Sequence, residues 1–371
     1  MNGQNKKNFV TKYQLFATIV VNVVGVGIFS YANRMTSIVK SDGWIVTIVG
    51  GAITLGLLYL IYRIVRMNNF DNFYNILKNN FGSTLGKIIG IFFIVYNIFY
   101  ISIGMRAFAE VLKMYLLEKT PTEFILLIMI LTGMYVVRNE IKTLIKFNEI
   151  MFWLMFVPIY IVFIFVIKGA DFTNVFPILH NPAMNYVKAL HPAIFIFGGF
   201  EIAYLVLPHM KEKKGIPKVL FKSIVFITIF YVATIIFSLA AFGVKQTQVL
   251  LWPILTMIQC IDIPGGFVEQ WEGIVMTFWI LFYITTFVNT YYFSADILKN
   301  MFKLEDIKLS SLILIPFVYV IALYPENIAS VYQLQRKFSS VLNIVNLVLI
   351  IFILFFISVI RRRGDKTYEK K

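Results

Sequence analysis

Residues 13–32 run for twenty positions without a charged side chain, and comparable runs recur along the whole 371-residue chain. A helix needs about 20 mostly apolar residues, with a range of about 17 to 25, to cross the hydrocarbon core of a bilayer. At that depth there is no water, so every backbone N–H and C=O must find its partner inside the protein. The further runs fall at about 43–63, 86–108, 122–137, 147–167, 189–208, 219–243, 272–297, 309–324 and 338–360. An all-α integral membrane protein of about ten transmembrane helices is expected. Composition agrees, because 59% of the residues are hydrophobic and only 14% charged, against roughly 25% charged in a soluble domain. Too few charges remain to cover a water-facing surface, and no loop is long enough for a soluble catalytic domain. An enzyme is therefore not expected, and residues 1–371 read as a single transmembrane domain.

The net charge of +15, from 34 Lys+Arg against 19 Asp+Glu, would suggest nucleic acid in a soluble protein. Its distribution points elsewhere. With the N-terminus placed inside, 24 cations fall in inner segments and 10 in outer ones, the bias that orients membrane proteins. The inner groups include Lys6, Lys7 and Lys12, the cluster Lys211, Lys213, Lys214, Lys218 and Lys222, and a basic tail at 361–371. Both termini are expected on the cytoplasmic side, with the lipid bilayer and not nucleic acid as partner. The first run follows a basic segment, but it is too long for a signal peptide and no small-x-small cleavage site follows it. It reads as a retained span.

Two connections are more than linkers. Phe70, Phe73, Tyr74, Leu77 and Phe81 recur with a helical period, opposite Asn72, Asn75, Lys78 and Asn79. This predicts an amphipathic helix lying on the inner membrane surface. Residues 246–271 are too apolar for a free loop, and Pro253 and Pro264-Gly265-Gly266 divide them, so a short outer helix folding over the bundle is expected. Asp42 before Gly43-Trp44 suits a helix N-cap. Arg106 and Glu110, four apart, suit a local ion pair. Cys260 is the sole cysteine and reads as a small buried or interfacial hydrophobe. His180, His191 and His209 lack a second ligand at metal spacing, so no metal site is expected. Gly82-Ser83-Thr84-Leu85-Gly86-Lys87 is one residue short of a phosphate loop and no strand precedes it. No cofactor is expected.

Broken helix is tolerated at bilayer depth only where it lines a cavity or is buried in protein. Two candidate breaks stand at matching places: Val24-Gly25-Val26-Gly27-Ile28 in the first span and Phe197-Gly198-Gly199-Phe200-Glu201 in the sixth. Interruptions at corresponding positions of two halves are the signature of an inverted-repeat transporter fold. The repeats would cover about 12–167 and 189–360. A half-helix beginning near Gly27 offers free N–H groups and a positive dipole end, which suit a carboxylate. One ending near Gly25 offers free carbonyls, which suit an ammonium group or a cation. Glycine also permits close helix packing, and for either motif alone that explanation is the simpler one. Their coincidence favours a pocket for a small zwitterion such as an amino acid. Glu201 is the one acid clearly deep within a span, and such carboxylates usually face a cavity or partner. It could hold the unwound turn, contact a ligand amine or carry a proton. Thr285, Thr286, Asn289 and Thr290 in the eighth span, with Tyr96, Asn97 and Tyr100 in the third, could complete the pocket.

With Gly25-Val-Gly-Ile-Phe29, Asp42-Gly-Trp44, Phe197-Gly-Gly-Phe-Glu201 through Pro208, and Ile263-Pro-Gly-Gly-Phe267 to Trp279, the sequence resembles the B subunits of GerA-type spore germinant receptors. These belong to the amino acid–polyamine–organocation transporter superfamily. Ser30-Tyr31-Ala32 stands where that family commonly has a proline, and Gln270 where an arginine is usual. The resemblance implies a LeuT-like five-plus-five bundle with helices 1 and 6 broken, in the inner membrane of a bacterial spore. It implies a pocket of Gly25, Val26, Gly27, Gly198, Gly199 and Glu201, with Tyr100 and Thr286 beside it. A small nutrient germinant, often an amino acid, would bind there and signal through A and C subunits. The alternative is an amino-acid transporter working by alternating access.

Overall fold

The computed structural model describes residues 9–25, 27–167, 169–260 and 271–368. The first half holds α1 (Lys12–Val23), α2 (Gly27–Val39), α3 (Gly43–Met67), α4 (Phe73–Tyr115), α5 (Thr122–Val137) and α6 (Ile141–Ile167). The second half holds α7 (Ala183–Phe195), α8 (Ala203–Val206), α9 (Ile216–Val249), α10 (Pro253–Gln259), α11 (Trp271–Phe302), α12 (Ile307–Leu323), α13 (Ile328–Ile344) and α14 (Ile350–Tyr368). A π-helical turn, Val345–Leu349, joins α13 to α14.

Local chemistry sets several starts. Thr11 and Gln14 form a capping box on α1, with Thr11 Oγ1 accepting from Gln14 N at 3.2 Å and Gln14 Oε1 from Thr11 N at 3.1 Å. This satisfies two helix-end donors reciprocally. Asn72, Asp306 and Asn327 cap α4, α12 and α13 in the same sense, each accepting from a backbone N–H three residues on. Asp42 does not cap α3 as expected. Its ψ of 4° is not the extended geometry of a capping residue, and no side-chain cap bond forms. The carboxylate instead accepts from Leu179 N (2.8 Å), Asn181 Nδ2 (2.6 Å) and Tyr186 Oη (2.7 Å), pinning a segment far along the chain.

The expected ten spans correspond to elements of this helix series, although length and composition alone pick out fewer. Six helical stretches among the described residues are long and apolar enough to cross a membrane, or seven if the bent pair 280–302 and 307–323 counts as one. The difference has physical causes. The first span is cut into pieces of 12 and 13 residues, α5 is 16 residues long, and α2 and α3 run together through the short 3-10 turn at Lys40–Asp42.

Gly82 (φ 83°, ψ 175°) separates a helix over 73–81 from the long span that follows. That short helix has the expected amphipathic period but a different partner. Phe73, Ile76 and Leu77 are buried in the protein core, and the Phe73 ring lies 4.5 Å from Tyr204 and 4.7 Å from Phe93. Its apolar face is covered by the bundle and not by lipid. On the other side, α10 packs on α2 and α9, as expected for an outer helix folding over. Cys260, just after it, is exposed; α10 turns its apolar positions Ile254, Leu255 and Ile258 inward, which leaves its end uncovered. Residues 261–270 lie outside the described residues.

Within the bundle α4 packs along α11, α3 along α9, and α1 against α6 and α9. The two broken spans are neighbours: α2 packs on α7, and α1 on the 3-10 turn Phe200–Ile202 and α8. Corresponding interrupted elements from the two halves thus meet in the middle.

Candidate ligand site at the two broken helices

Helix α1 stops because Val24 leaves the helical region (φ −82°, ψ 87°). A helix end leaves its last carbonyls without intrahelical partners, and in a dry interior each must be satisfied some other way. Side chains from two helices, α11 and α9, do this here. Thr285 Oγ1 reaches the Val21 carbonyl (3.1 Å) and Thr286 Oγ1 the Asn22 carbonyl (3.1 Å). Tyr231 Oη stands 3.1 Å from the Val23 carbonyl and 3.2 Å from that of Ile196, so one hydroxyl bridges both breaks. The carbonyls expected to lie open to a ligand are therefore already engaged.

The second break is built around Gly199, whose φ of 105° lies where only glycine is comfortable. A Cβ there would stand 2.9 Å from the Asn22 carbonyl oxygen. The approach is that close because Asn22 Nδ2 donates to the Gly199 carbonyl at 2.6 Å, tying one broken span to the other. Glu201 Oε2 accepts from Gly199 N at 2.9 Å, which anchors the unwound turn. Of the roles open to Glu201 from sequence, the structural one is visible directly. The residue is 5% exposed.

Most of the sequence-predicted residues gather at this junction. Gly25 lies against Thr286, with a Cβ placed 2.8 Å from Thr286 Oγ1, and Gly27 against Ile196. Gly198 faces Leu347, in the π turn of the last span. Val26 lies outside the described residues. Tyr100 stacks on Tyr96 (centroids 6.3 Å apart, 14° between planes). The Tyr100 hydroxyl is in electrostatic reach of Glu201, Tyr231 and Tyr283, all buried and contributed by three different spans. Yet Tyr100 is 36% exposed. Gly27, at the start of α2, is exposed as well.

Sequence reasoning missed Asn22, Tyr231, Tyr204 and Asn346. Asn22 and Tyr231 make the bonds that join the breaks. Tyr204 Oη is buried without a hydrogen bond, and the buried Asn346 lies beside Tyr96, which donates to Asn343 Oδ1 at 2.9 Å. The available signal was polarity at span centres, where a lone Tyr or Asn must find a partner. The π turn holding Asn346 is a feature frequent at functional sites. Arg106 and Glu110 form the expected ion pair at 2.9 Å, away from the junction, and Arg106 Nη2 also donates to the Glu326 carbonyl.

Comparison with known proteins agrees with this architecture. A family model described as "Spore germination protein" matches residues 9–331. Spore germination protein A2 of Bacillus subtilis (strain 168) is 28% identical over 352 residues, spanning 95% of this chain and 96% of its own. Spore germination protein GerQB of Bacillus cereus is 24% identical over 320 residues, 86% of this chain and 87% of its own. Among solved structures, a Na+-coupled sialic acid symporter in a substrate-bound outward-open state superposes with a TM-score of 0.65 at 13% identity, covering 85% of this chain and 73% of that one. MHP1, a nucleobase-cation-symport-1 family transporter in a closed conformation, gives 0.64 at 17% identity, covering 90% and 77%. These likenesses establish the fold, a LeuT-type transporter bundle. The match across most of the sequence establishes the lineage: the chain belongs to the spore germination protein family.

Proposed function

We propose that this chain is the B subunit of a spore germinant receptor. It binds a small nutrient germinant, an amino acid, at the junction of the broken helices and signals through A and C subunits in the spore inner membrane, with both termini on the core side. The pocket consists of Gly25, Val26, Gly27, Tyr100, Gly198, Gly199, Glu201 and Thr286. The observation that carries this reading is the exposed Tyr100 ring near the buried Glu201, Tyr231 and Tyr283, with Glu201 and Tyr231 bonded to the two breaks themselves. A ligand carboxylate suits the N-terminal dipole of α2. A ligand amine suits the Glu201 carboxyl, which also anchors Gly199 N, through a charge-assisted bond.

The test is binding of individual labelled amino acids to the purified full-length protein in nanodiscs. At least one should bind saturably. Glu201→Gln keeps an acceptor for Gly199 N but removes the charge, and should weaken binding about tenfold or more. Gly25→Leu should insert normally and bind nothing. Normal binding by both variants would overturn the pocket. In spores, deleting the gene should abolish germination with that nutrient, and the protein should co-purify with the A and C subunits. Accumulation of the labelled amino acid in proteoliposomes under a proton or sodium gradient would favour the transporter reading instead.

A further inference from the structure

We propose that the groove between the inner ends of α3 and α9 binds the headgroup of an anionic phospholipid. The groove encloses about 660 Å³ and is lined chiefly by Tyr62, Arg66, Phe70, Lys213, Lys214 and Lys218. Four of these six side chains are cations and no lining residue is an acid. Of the two acids next in sequence to lining residues, Glu212 is taken by Lys12 at 2.7 Å, and Asp71 Oδ1 accepts from Asn72 N and Asn75 Nδ2. None of the four cations belongs to an ion pair among the described residues. Lys213 Nζ sits 4.4 Å above the Phe70 ring, a cation–π contact that holds it at the rim.

Charge alone would suit any anion; the surroundings select a lipid. One turn deeper on the same two helices, Tyr59 (43% exposed) and Phe221 (52% exposed) present apolar surface outward. In a chain that spans a bilayer, those side chains face acyl chains, so the cationic groove opens where an apolar track begins. An ion in solution would use the cations and leave the track unused. A phospholipid uses both, its phosphate among the cations and its tails along Tyr59 and Phe221. Aromatic residues at headgroup depth, here Tyr62 and Phe70, and basic pockets between spans on the inner side are the expected furniture of such a site.

The experiment uses full-length protein purified in mild detergent and exchanged into micelles containing phosphatidylglycerol or phosphatidylcholine. Retained lipid is counted by native mass spectrometry. Phosphatidylglycerol should be retained in preference to phosphatidylcholine. R66Q/K214Q/K218Q should lower that retention about tenfold or more, the scale set by losing several cations near an anionic headgroup. K299Q/K303Q/K308Q removes equal charge elsewhere and should leave retention unchanged. If the groove variant does not fold, K214Q is read against K303Q in the same assay. Equal loss in groove and control variants would show a delocalised charge effect and overturn the site. So would displacement of the lipid by millimolar glycerol phosphate, which would assign the groove to a soluble anion. Neither result bears on amino-acid binding at the broken helices.

Discussion

A methyl group at Gly25 would stand 2.8 Å from Thr286 Oγ1, closer than real Cβ contacts come. The glycine is thus required by packing whatever the site binds, and a loss of response on substitution mixes two causes. The obstructing atom is the hydroxyl oxygen; the Thr286 Cβ lies 3.6 Å away, an ordinary contact. Gly25→Ala should therefore destabilise the protein by about 1–3 kcal/mol, the usual cost of overpacking. Thr286→Ala removes the obstructing oxygen but also the hydroxyl that meets the Asn22 carbonyl. Gly25→Ala should thus cost much less when added to Thr286→Ala than when added to the unaltered protein, a coupling that a double-mutant cycle of melting temperatures measures. If Gly25→Ala costs the same in both backgrounds, the clash is not with that hydroxyl. A stable pair that binds no amino acid would separate the packing role from the ligand role. Gly199 allows no such rescue, because its neighbour is the backbone oxygen of Asn22 and its φ is 105°.

Elements report how far a sequence can be read. The period of residues 70–81 and the apolarity of 246–260 are local, so both short helices were legible. What covers the first was not, because Tyr204 and Phe293 come from distant parts of the chain. The same limit applies to Asp42, picked out beside Gly43-Trp44 for a local capping role. In the fold it serves residues 179–186, while Ser41 Oγ donates to the Pro177 carbonyl and Asn181 Nδ2 to that of Val39. The breaks at Gly25 and Gly199 were legible because glycine pairs at matching positions are a pattern within the sequence. The hydroxyls that cap them were only half legible, since a threonine stripe in the eighth span is visible but its acceptors are not. Asp42→Ala removes three hydrogen bonds to a buried carboxylate and should cost about 2 kcal/mol or more. Hydrogen exchange should quicken across 177–186 and leave α4 and α11 unchanged. Uniform exchange along the chain would mean that Asp42 does not hold this segment.

At the scale of the whole molecule, the N-terminal end of the first broken span and the C-terminal end of the second are latched together. Phe9 N and Val10 N both donate to the His209 carbonyl (3.1 and 3.0 Å), and Lys211 N donates to the Val10 carbonyl at 2.9 Å. The Lys12–Glu212 pair reinforces this latch. The hydrogen bond from Lys12, and its charge, hold the Glu212 carboxyl below the ordinary carboxylate range. The pair's contribution is thus full at and above that ordinary range, and is lost only as pH falls through the depressed value. Alternating access would have to open this latch, and sodium-coupled members of such folds bind the ion at unwound carbonyls and half-helix ends. Here the Val21, Asn22 and Val23 carbonyls are met by Thr285, Thr286 and Tyr231. A coupling cation at that end of α1 would have to displace hydroxyls already bonded to its ligands. Amino-acid binding should accordingly be indifferent to sodium, with the same Kd in sodium chloride and in choline chloride. An affinity about tenfold higher in sodium would show that the carbonyls exchange their hydroxyl partners for an ion, and would return the transporter reading to first place.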